Sequence, residues 1–467
     1  MEWILNIAQA AALMHGTAYG CSEDEIICSV STDTRTIQKG ALFFALQGDR
    51  FDGHKFVEAA VDSGAICCVV NRGEEIMDSV PRIAVEDTAA ALRDLAAGYR
   101  AKFHIPVVGI TGSVGKTSTK EMIASVLAQQ YRTHMTRGNF NNEIGLPLTV
   151  FDLMKEDEMM VLEMGMSHFG EISRLTRIAR PDTAVITNIG VSHMENLGSR
   201  EGIKQAKFEI LEGLSMDGAV ILNGDDDLLW GAGGDIEYET LYYGIQNKSC
   251  DFNAVDIRTY SDSSEFICKI DGTEYKFVIS VPGLHHVYNA LAAILVGLRY
   301  NVDIADIQKG IRLFQPSGLR QTVIHLPDYA LIRDCYNASP ASMQSGLSVL
   351  ALLPAKGRRV ACLADMLELG EISEAAHREV GKLAVEYGTD VLLTVGAAAH
   401  DIARGAEEAG MNPADIYEFD DNESLCQKLP VLLKKGDAIL VKGSRGMHLE
   451  EVADAIESMQ SRDKAQG

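Results

Sequence analysis

The chain has 467 residues, long for a single hydrophobic core and suited to two or three domains. With 46% hydrophobic and 23% charged residues it has the composition of an ordinary soluble globular protein. A formal net charge of −24 argues against a nucleic-acid binder, which needs a basic face, but leaves room for anionic small ligands in a local positive pocket.

The opening stretch, MEWILNIAQAAALMHG, carries Glu2 and no basic leader, so it reads as an amphipathic first helix rather than a signal peptide. No stretch is long and apolar enough to span a membrane. The nine cysteines include the neighbours Cys67 and Cys68 but no C-x-x-C or metal-type spacing, which implies reduced thiols and a cytoplasmic protein. Apolar strands alternate with polar loops through the first hundred residues: Ser31–Arg35, Gly40–Leu46, Asp52–His54 and Ala65–Val70, then a helical stretch from Thr88 to Tyr99. This is a small α/β domain ending near Phe103. The hydroxyls, Arg35 and backbone amides of the Ser31–Arg35 loop suit a diphosphate or sugar as well as they suit a solvated turn.

From Ile105 to Leu127 the chain runs IPVVGITGSVGKTSTKEMIASVL: a short apolar strand, a loop with Gly112 and Gly115, then Lys116, Thr117 and a helix with Met122, Ile123, Val126 and Leu127 on one face. Strand, glycine loop, Lys-Thr and helix make a cradle for a nucleotide triphosphate. Glycines let backbone N–H groups approach the phosphates, Lys116 reaches the outer ones, and the Thr117 hydroxyl can hold magnesium. The spacing is the tighter G-x-x-G-K-T, since the longer P-loop pattern would need glycine where Ile110 stands.

Further apolar runs each end in a polar residue: Met159–Leu162 at Glu163, Ala184–Ile186 at Thr187 and Asn188, Ala219–Leu222 at Asn223. In parallel sheets ligands sit beyond such strand ends, where Glu163 could bind magnesium. Thr136–Gly145, with Asn139, Asn141 and Asn142, reads as a loop, and His193 as a loop histidine that is either a surface residue or a metal ligand. Alternation through Phe266–Ile270 and Tyr275–Val281 around Asp271-Gly272 predicts a β-hairpin, followed by a helix over Leu284–Leu298. From about Gln315 strands and helices alternate again: Arg359–Leu363, a helix over Ser373–Tyr387, Val391–Val395 and Ala438–Val441. That pattern predicts a Rossmann-like segment, without the G-x-G-x-x-G of a dinucleotide site.

Taken in order, these stretches resemble the Mur ligases, ATP-dependent amide-bond formers of peptidoglycan synthesis. The resemblance is carried by TDTR and LFFALQGDRFDGH (Thr32–His54), GITGSVGKTSTKEM (Gly109–Met122), TRGNFNNEIGLPLT (Thr136–Thr149) and EMGMSHFGEI (Glu163–Ile172). It continues through TNIGVSHMENLGSREGI (Thr187–Ile203), AKFEI (Ala206–Ile210), YNASPASM (Tyr336–Met343), DMLELG (Asp365–Gly370) and VKGSRGMHLE (Val441–Glu450). It implies an α/β fold of three domains: an N-terminal UDP-muropeptide domain (1–103), a central P-loop ATPase domain with a mostly parallel sheet (104–315) and a C-terminal Rossmann-like ligase domain (316–467).

The implied reaction phosphorylates the free carboxylate of a UDP-MurNAc-tripeptide with ATP. D-alanyl-D-alanine then attacks the acyl phosphate, releasing ADP and phosphate. The resemblance puts ATP against Gly112, Ser113, Val114, Gly115, Lys116, Thr117 and Ser118, with Asn289 and Arg320 on adenine and phosphate and Asp334, Tyr336 and Asn337 lining the nucleotide from the C-terminal domain. Two magnesium ions are implied, held by Thr117, Glu163, His193 and Lys207, the last where the family carries a carbamylated lysine; otherwise Lys207 is a solvated helix lysine. Lys116, Lys207 and His193 are the implied catalytic residues. Substrate contacts fall to Ser31, Thr32, Arg35, Asn139, Asn141, Asn142, Thr187, Lys442, Ser444 and Arg445. A monomer without nucleic-acid partners is expected.

Three positions depart from the family pattern: G-x-H-N is Gly283-Leu284-His285-His286, the residue before Asp365 is Ala364, and the N-A-N-P stretch carries Ser339. The rival readings are a related ligase that adds the third amino acid, one that joins glutamate to folate, and a nucleotide-switch module. Against the last, Asn247-Lys248-Ser249-Cys250 lacks the aspartate of a guanine-binding motif.

Overall fold

In the computed structural model, which describes residues 5–48, 51–354 and 356–463, most of the predicted strands and helices form within a residue or two of their expected limits. The first helix is Ile7–Leu13, started by a reciprocal cap between Asn6 and Gln9; Met1–Ile4 of the expected helix lie outside the described residues, as do Asp49 and Arg50. Two compact units are formed. One comprises Met1–Thr111, Tyr131–Ala184 and Ala206–Ala219, the other Gly112–Gln130, Val185–Gln205 and Val220–Gly467.

The first unit contains a five-stranded sheet in the order Thr17–Tyr19, Arg82–Val85, Ala65–Asn71, Ala41–Phe44, Ser29–Ser31. Only the Thr17–Tyr19 edge is antiparallel; the remaining pairs are parallel. Helix Thr88–Arg100 is capped by Asp87, and buried Arg100 donates to the carbonyls of Phe103 and Ile105 at 2.6 and 3.0 Å, which ends the segment. Three more strands of this unit lie parallel, Thr133–Met135 beside Met159–Glu163 beside Val107–Thr111. The last two are buried at every residue, as continuous apolar runs in a parallel sheet must be.

One helix was not legible in the sequence. Gly145–Phe151, seven residues and mostly apolar, has no periodicity to read; Asn142 starts it by accepting the Ile144 and Gly145 N–H groups at 3.2 and 2.8 Å.

In the second unit helix Lys116–Leu127 packs against helices Leu284–Arg299 and Ile304–Leu313. The approach is close because Gly310 has no side chain: a Cβ there would lie 2.6 Å from Val126 Cα, and Ser125 Oγ donates to Gly310 O at 2.7 Å. The predicted hairpin forms from Ser264–Ile270 and Thr273–Ile279, with Asp271 and Gly272 both at positive φ as a two-residue turn requires. Phe266 and Phe277 face one another across it with ring centroids 5.4 Å apart.

The C-terminal sheet runs Thr322–His325, Ala330–Asp334, Ala438–Lys442, Arg359–Ala364, Val391–Val395, Ile416–Phe419, parallel except at its first strand. Alternate residues feed two cores. Ile332, Leu440 and Leu363 meet helices Pro340–Leu352 and Ser373–Glu386 on one face. Leu331, Ile439 and Cys362 meet helices Asn422–Leu432 and Glu450–Asp463 on the other. Helices on both faces of a parallel sheet give the Rossmann-like arrangement expected of this segment. Among the described residues no helix is long and apolar enough to cross a membrane.

Candidate active site

The loop Gly112–Gly115 leads into helix Lys116–Leu127, whose N-cap is Gly115 at φ +85°. Glycine supplies no side-chain acceptor to the first-turn N–H groups, and the positive end of a helix capped in this way suits an anion. The loop is held in shape by the segment after strand Thr183–Ile186. Ser113 N donates to Asn188 O (3.0 Å), Val114 N to Asn188 Oδ1 (2.9 Å) and Gly190 N to Ser113 Oγ (2.9 Å). Thr187 Oγ1 and Asn188 Nδ2 both donate to Val114 O, at 2.7 and 2.9 Å.

Thr187, expected on the substrate side, thus spends its hydroxyl on the loop. Asn188, which the sequence marked only as a polar residue after a strand end, binds both the N–H and the C=O of Val114. The bracing segment is itself anchored, since Asp226 Oδ2 accepts Ile189 N at 2.7 Å.

Lys116 Nζ donates to Gly112 O at 2.9 Å, and the Thr117 side chain is buried in the first turn. Asn289, expected near adenine, is buried and accepts the Thr119 hydroxyl at 3.0 Å, which ties helix Leu284–Arg299 to the phosphate-loop helix. The departure at His286 lies one turn before it: its Nδ1 is 3.4 Å from Asn289 Nδ2, and its ring packs on His285 and Phe314. Burial pushes His285 down to about 4 and His286 well below the usual histidine range. Both rings are therefore neutral, and a neutral imidazole nitrogen can take over an amide's acceptor role beside Asn289.

Gly112 stands at φ +149°, and a Cβ added there would fall 1.9 Å from Thr187 Oγ1. Gly112→Ala is expected to displace the loop and weaken nucleotide binding about tenfold or more, on the order of 1.4 kcal/mol. Titration with a fluorescent ATP analogue checks this; an unchanged Kd would show that the loop tolerates the methyl group.

In the first unit Glu163 is the last residue of its strand and is 1% exposed. Its N–H donates to Thr136 Oγ1 at 3.0 Å, and Oε1 accepts from Asn141 Nδ2 at 2.8 Å. The asparagine-rich loop therefore divides its labour: Asn141 orients the carboxylate, Asn142 starts the next helix, and Asn139 is exposed. Lys207, on helix Arg200–Phe208, is buried rather than solvated, with 2% exposure.

Ser31 and Asp33 close a tight turn, Ser31 Oγ donating to Asp33 O at 2.9 Å; Thr32 lies within it, half-buried. The Arg35 guanidinium, itself exposed, grips Asp33 and holds its carboxyl down at about 2.

In the second unit His193 adopts φ +63° and its Nδ1 lies 2.5 Å from Glu368 Oε2, a partner from the DMLELG stretch. Glu368, at φ +62°, was not singled out in the sequence; no local pattern links positions 175 residues apart. Strand register sets Asp334 beside Lys442 at the carboxyl ends of neighbouring parallel strands. Lys442 Nζ donates to Asp334 Oδ2 at 2.7 Å and to Asn337 O at 3.0 Å, so three of the expected residues form one cluster. Arg320 stacks 3.7 Å above the Tyr336 ring. Ser444 Oγ accepts Leu367 N at 2.9 Å, and Arg445 pairs with Glu450 at 2.9 Å.

The chain matches three family models in order: "Mur ligase family, catalytic domain" over residues 27–100, "Mur ligase middle domain" over 110–297, and "Mur ligase, glutamate ligase domain" over 319–445. It is 42% identical over 445 residues to the UDP-N-acetylmuramoyl-tripeptide–D-alanyl-D-alanine ligase of Bacillus subtilis, covering 93% of this chain and 94% of that protein. The Escherichia coli ligase of the same name is 36% identical over 461 residues, covering 97% and 98%.

Among solved structures, MurF from Acinetobacter baumannii superposes with a TM-score of 0.87 at 30% identity, covering 97% of this chain and 99% of that one. MurF from Thermotoga maritima, in complex with ADP, gives 0.81 at 29% identity, covering 93% and 98%. With a braced phosphate loop and relatives matched along nearly their whole length, this chain belongs to the Mur ligase family.

Proposed function

We infer that this chain is an ATP-dependent ligase that joins D-alanyl-D-alanine to UDP-N-acetylmuramoyl-tripeptide in peptidoglycan synthesis. The observation that carries this reading is near-complete coverage of the ligases that bear that name, at up to 42% identity, together with the shaped Gly112–Lys116 loop. Working domains at 1–103, 104–315 and 316–467, acting as a monomer, complete the reading.

The chain's own groups account for the chemistry. N–H groups of the loop and first helical turn bind the phosphates, and Lys116 leaves Gly112 O to neutralise charge on the outer ones as the terminal phosphoryl passes to the peptide carboxylate. The resulting acyl phosphate carries a good leaving group, which the dipeptide amine displaces through a tetrahedral intermediate. Holding amine and acyl phosphate in line contributes on the order of 7–11 kcal/mol to lowering the barrier.

Among the described residues no three His, Cys, Asp or Glu side chains are grouped as a ready metal site. Magnesium that arrives with the nucleotide needs fewer protein donors; the Thr117 hydroxyl is a hard oxygen donor of the kind it takes, and the buried Glu163 carboxylate is, by its chemistry alone, another. His193 and Lys207 are taken as holders of a second ion, Lys207 in carbamylated form. When bound, magnesium offsets the phosphate charge. Ser31, Thr32 and Arg35 serve the UDP-sugar, and Lys442, Ser444 and Arg445 serve the C-terminal substrate side.

The decisive assay follows ADP release with UDP-MurNAc-tripeptide, with and without D-alanyl-D-alanine. ADP and pentapeptide product are expected only when both substrates are present. Turnover with the dipeptide's acceptor replaced by UDP-MurNAc-dipeptide and a free third amino acid, or ADP release that needs no amine, would reject the reading.

A further inference from the structure

Cys21 follows the edge strand Thr17–Tyr19, and Cys67 lies inside the strand Ala65–Asn71. The strand between them in the sheet starts at Arg82, which is registered with Tyr19 on one side and Cys68 on the other. Cys21 lies past that start. Its side chain therefore crosses the end of the intervening strand, and its Sγ comes to 2.8 Å from Cys67 Sγ. Carbonyl oxygens of Tyr19 and Arg82 lie 3.4 and 3.7 Å from the Cys21 sulfur and hold it there. Cys67 is fully buried, whereas Cys21 is partly exposed. Cys68, pointing to the opposite face by the alternation of a strand, is directed to Val57 O at 3.6 Å and does not compete.

We propose that Cys21 and Cys67 form a peroxide-reactive dithiol that closes to a reversible disulfide in the N-terminal sheet. The Cys21 thiolate attacks a peroxide oxygen; the O–O bond breaks, leaving a sulfenic acid on Cys21 and releasing an alcohol or water. Cys67 sulfur then displaces the sulfenic hydroxyl, its own proton departing with that hydroxyl as water. Two thiols and one peroxide thus give a disulfide, one alcohol or water molecule, and one further water, with two electrons passing from sulfur to oxygen.

The environment divides the roles. The hydrogen bond from Cys67 lowers the Cys21 thiol, while the same contact and burial raise Cys67, so the accessible sulfur attacks and the buried one resolves. A thiol reductant reopens the bond by exchange.

The test exposes the full native chain to hydrogen peroxide, unfolds it in an alkylating reagent and maps the thiols by peptide mass. The expected result is a Cys21–Cys67 cross-linked peptide, the loss of two hydrogens from the intact mass, and recovery of both thiols with dithiothreitol. Cys21→Ser, at the partly exposed member of the pair and outside the buried core, abolishes the cross-link and leaves Cys67 alkylatable. The proposal fails if Cys21 accumulates oxygen while Cys67 keeps its thiol, if the cross-link joins Cys21 to Cys68, or if both thiols survive a dose that oxidises exposed Cys28.

Discussion

Lys116→Ala is expected to lower the rate of pentapeptide formation by about 10²–10³, or roughly 2.7–4 kcal/mol of transition-state stabilisation, while the protein stays folded. The reason is positional. Lys116 opens a helix whose cap has no side chain, and its ammonium is 2.9 Å from the carbonyl of Gly112 at the other end of the loop. It therefore sits across the concavity that the loop amides line, where terminal phosphate charge would otherwise be unopposed. Lys116→Arg is expected to recover little, since a planar fork cannot replace a compact ammonium inside a short glycine loop. Coupled ADP release measures the loss, and circular dichroism checks the fold. A Lys116→Ala protein that turns over normally removes the basis for phosphoryl transfer at this loop.

Lys442→Met is expected to be the most destabilising of these changes. The ammonium is 2% exposed and the Asp334 carboxylate 12%, so the substitution leaves a carboxylate largely out of water with no charge partner. Breaking such a pair costs about 3–5 kcal/mol, which should lower the melting temperature by roughly 10 °C. The double variant Asp334→Asn with Lys442→Met should recover much of that stability, because the asparagine keeps an acceptor for Gln321 N, now at 3.2 Å from Asp334 Oδ1. It should not recover ligation if Lys442 also serves the substrate. Melting curves and turnover of the three proteins separate the two roles; a double variant no more stable than the single one would show that charge pairing is not what Lys442 contributes.

How much of this was readable in advance follows from the range over which each feature is encoded. The strand, loop and helix around Gly112 are specified within two dozen neighbouring residues by an apolar run, two glycines and a helical repeat, so they were legible in the sequence. The hairpin was equally local, since Asp271-Gly272 supplies the two positive φ angles its turn needs. Helix Gly145–Phe151 was not, because seven mostly apolar residues have no period that separates helix from strand.

The amino-acid sequence by itself determined the family and the alternation of strand and helix, because those depend on residue types at short, ordered spacings. The tertiary structure alone decided who holds whom. Asn188 bracing Val114, Asn289 receiving Thr119, Glu368 meeting His193, Lys442 pairing with Asp334 and the touching thiols of Cys21 and Cys67 all join residues separated by 46 to 175 positions. Such pairs arise from strand register and helix packing, which set side chains side by side only after the chain has folded, and so leave no periodic trace along it.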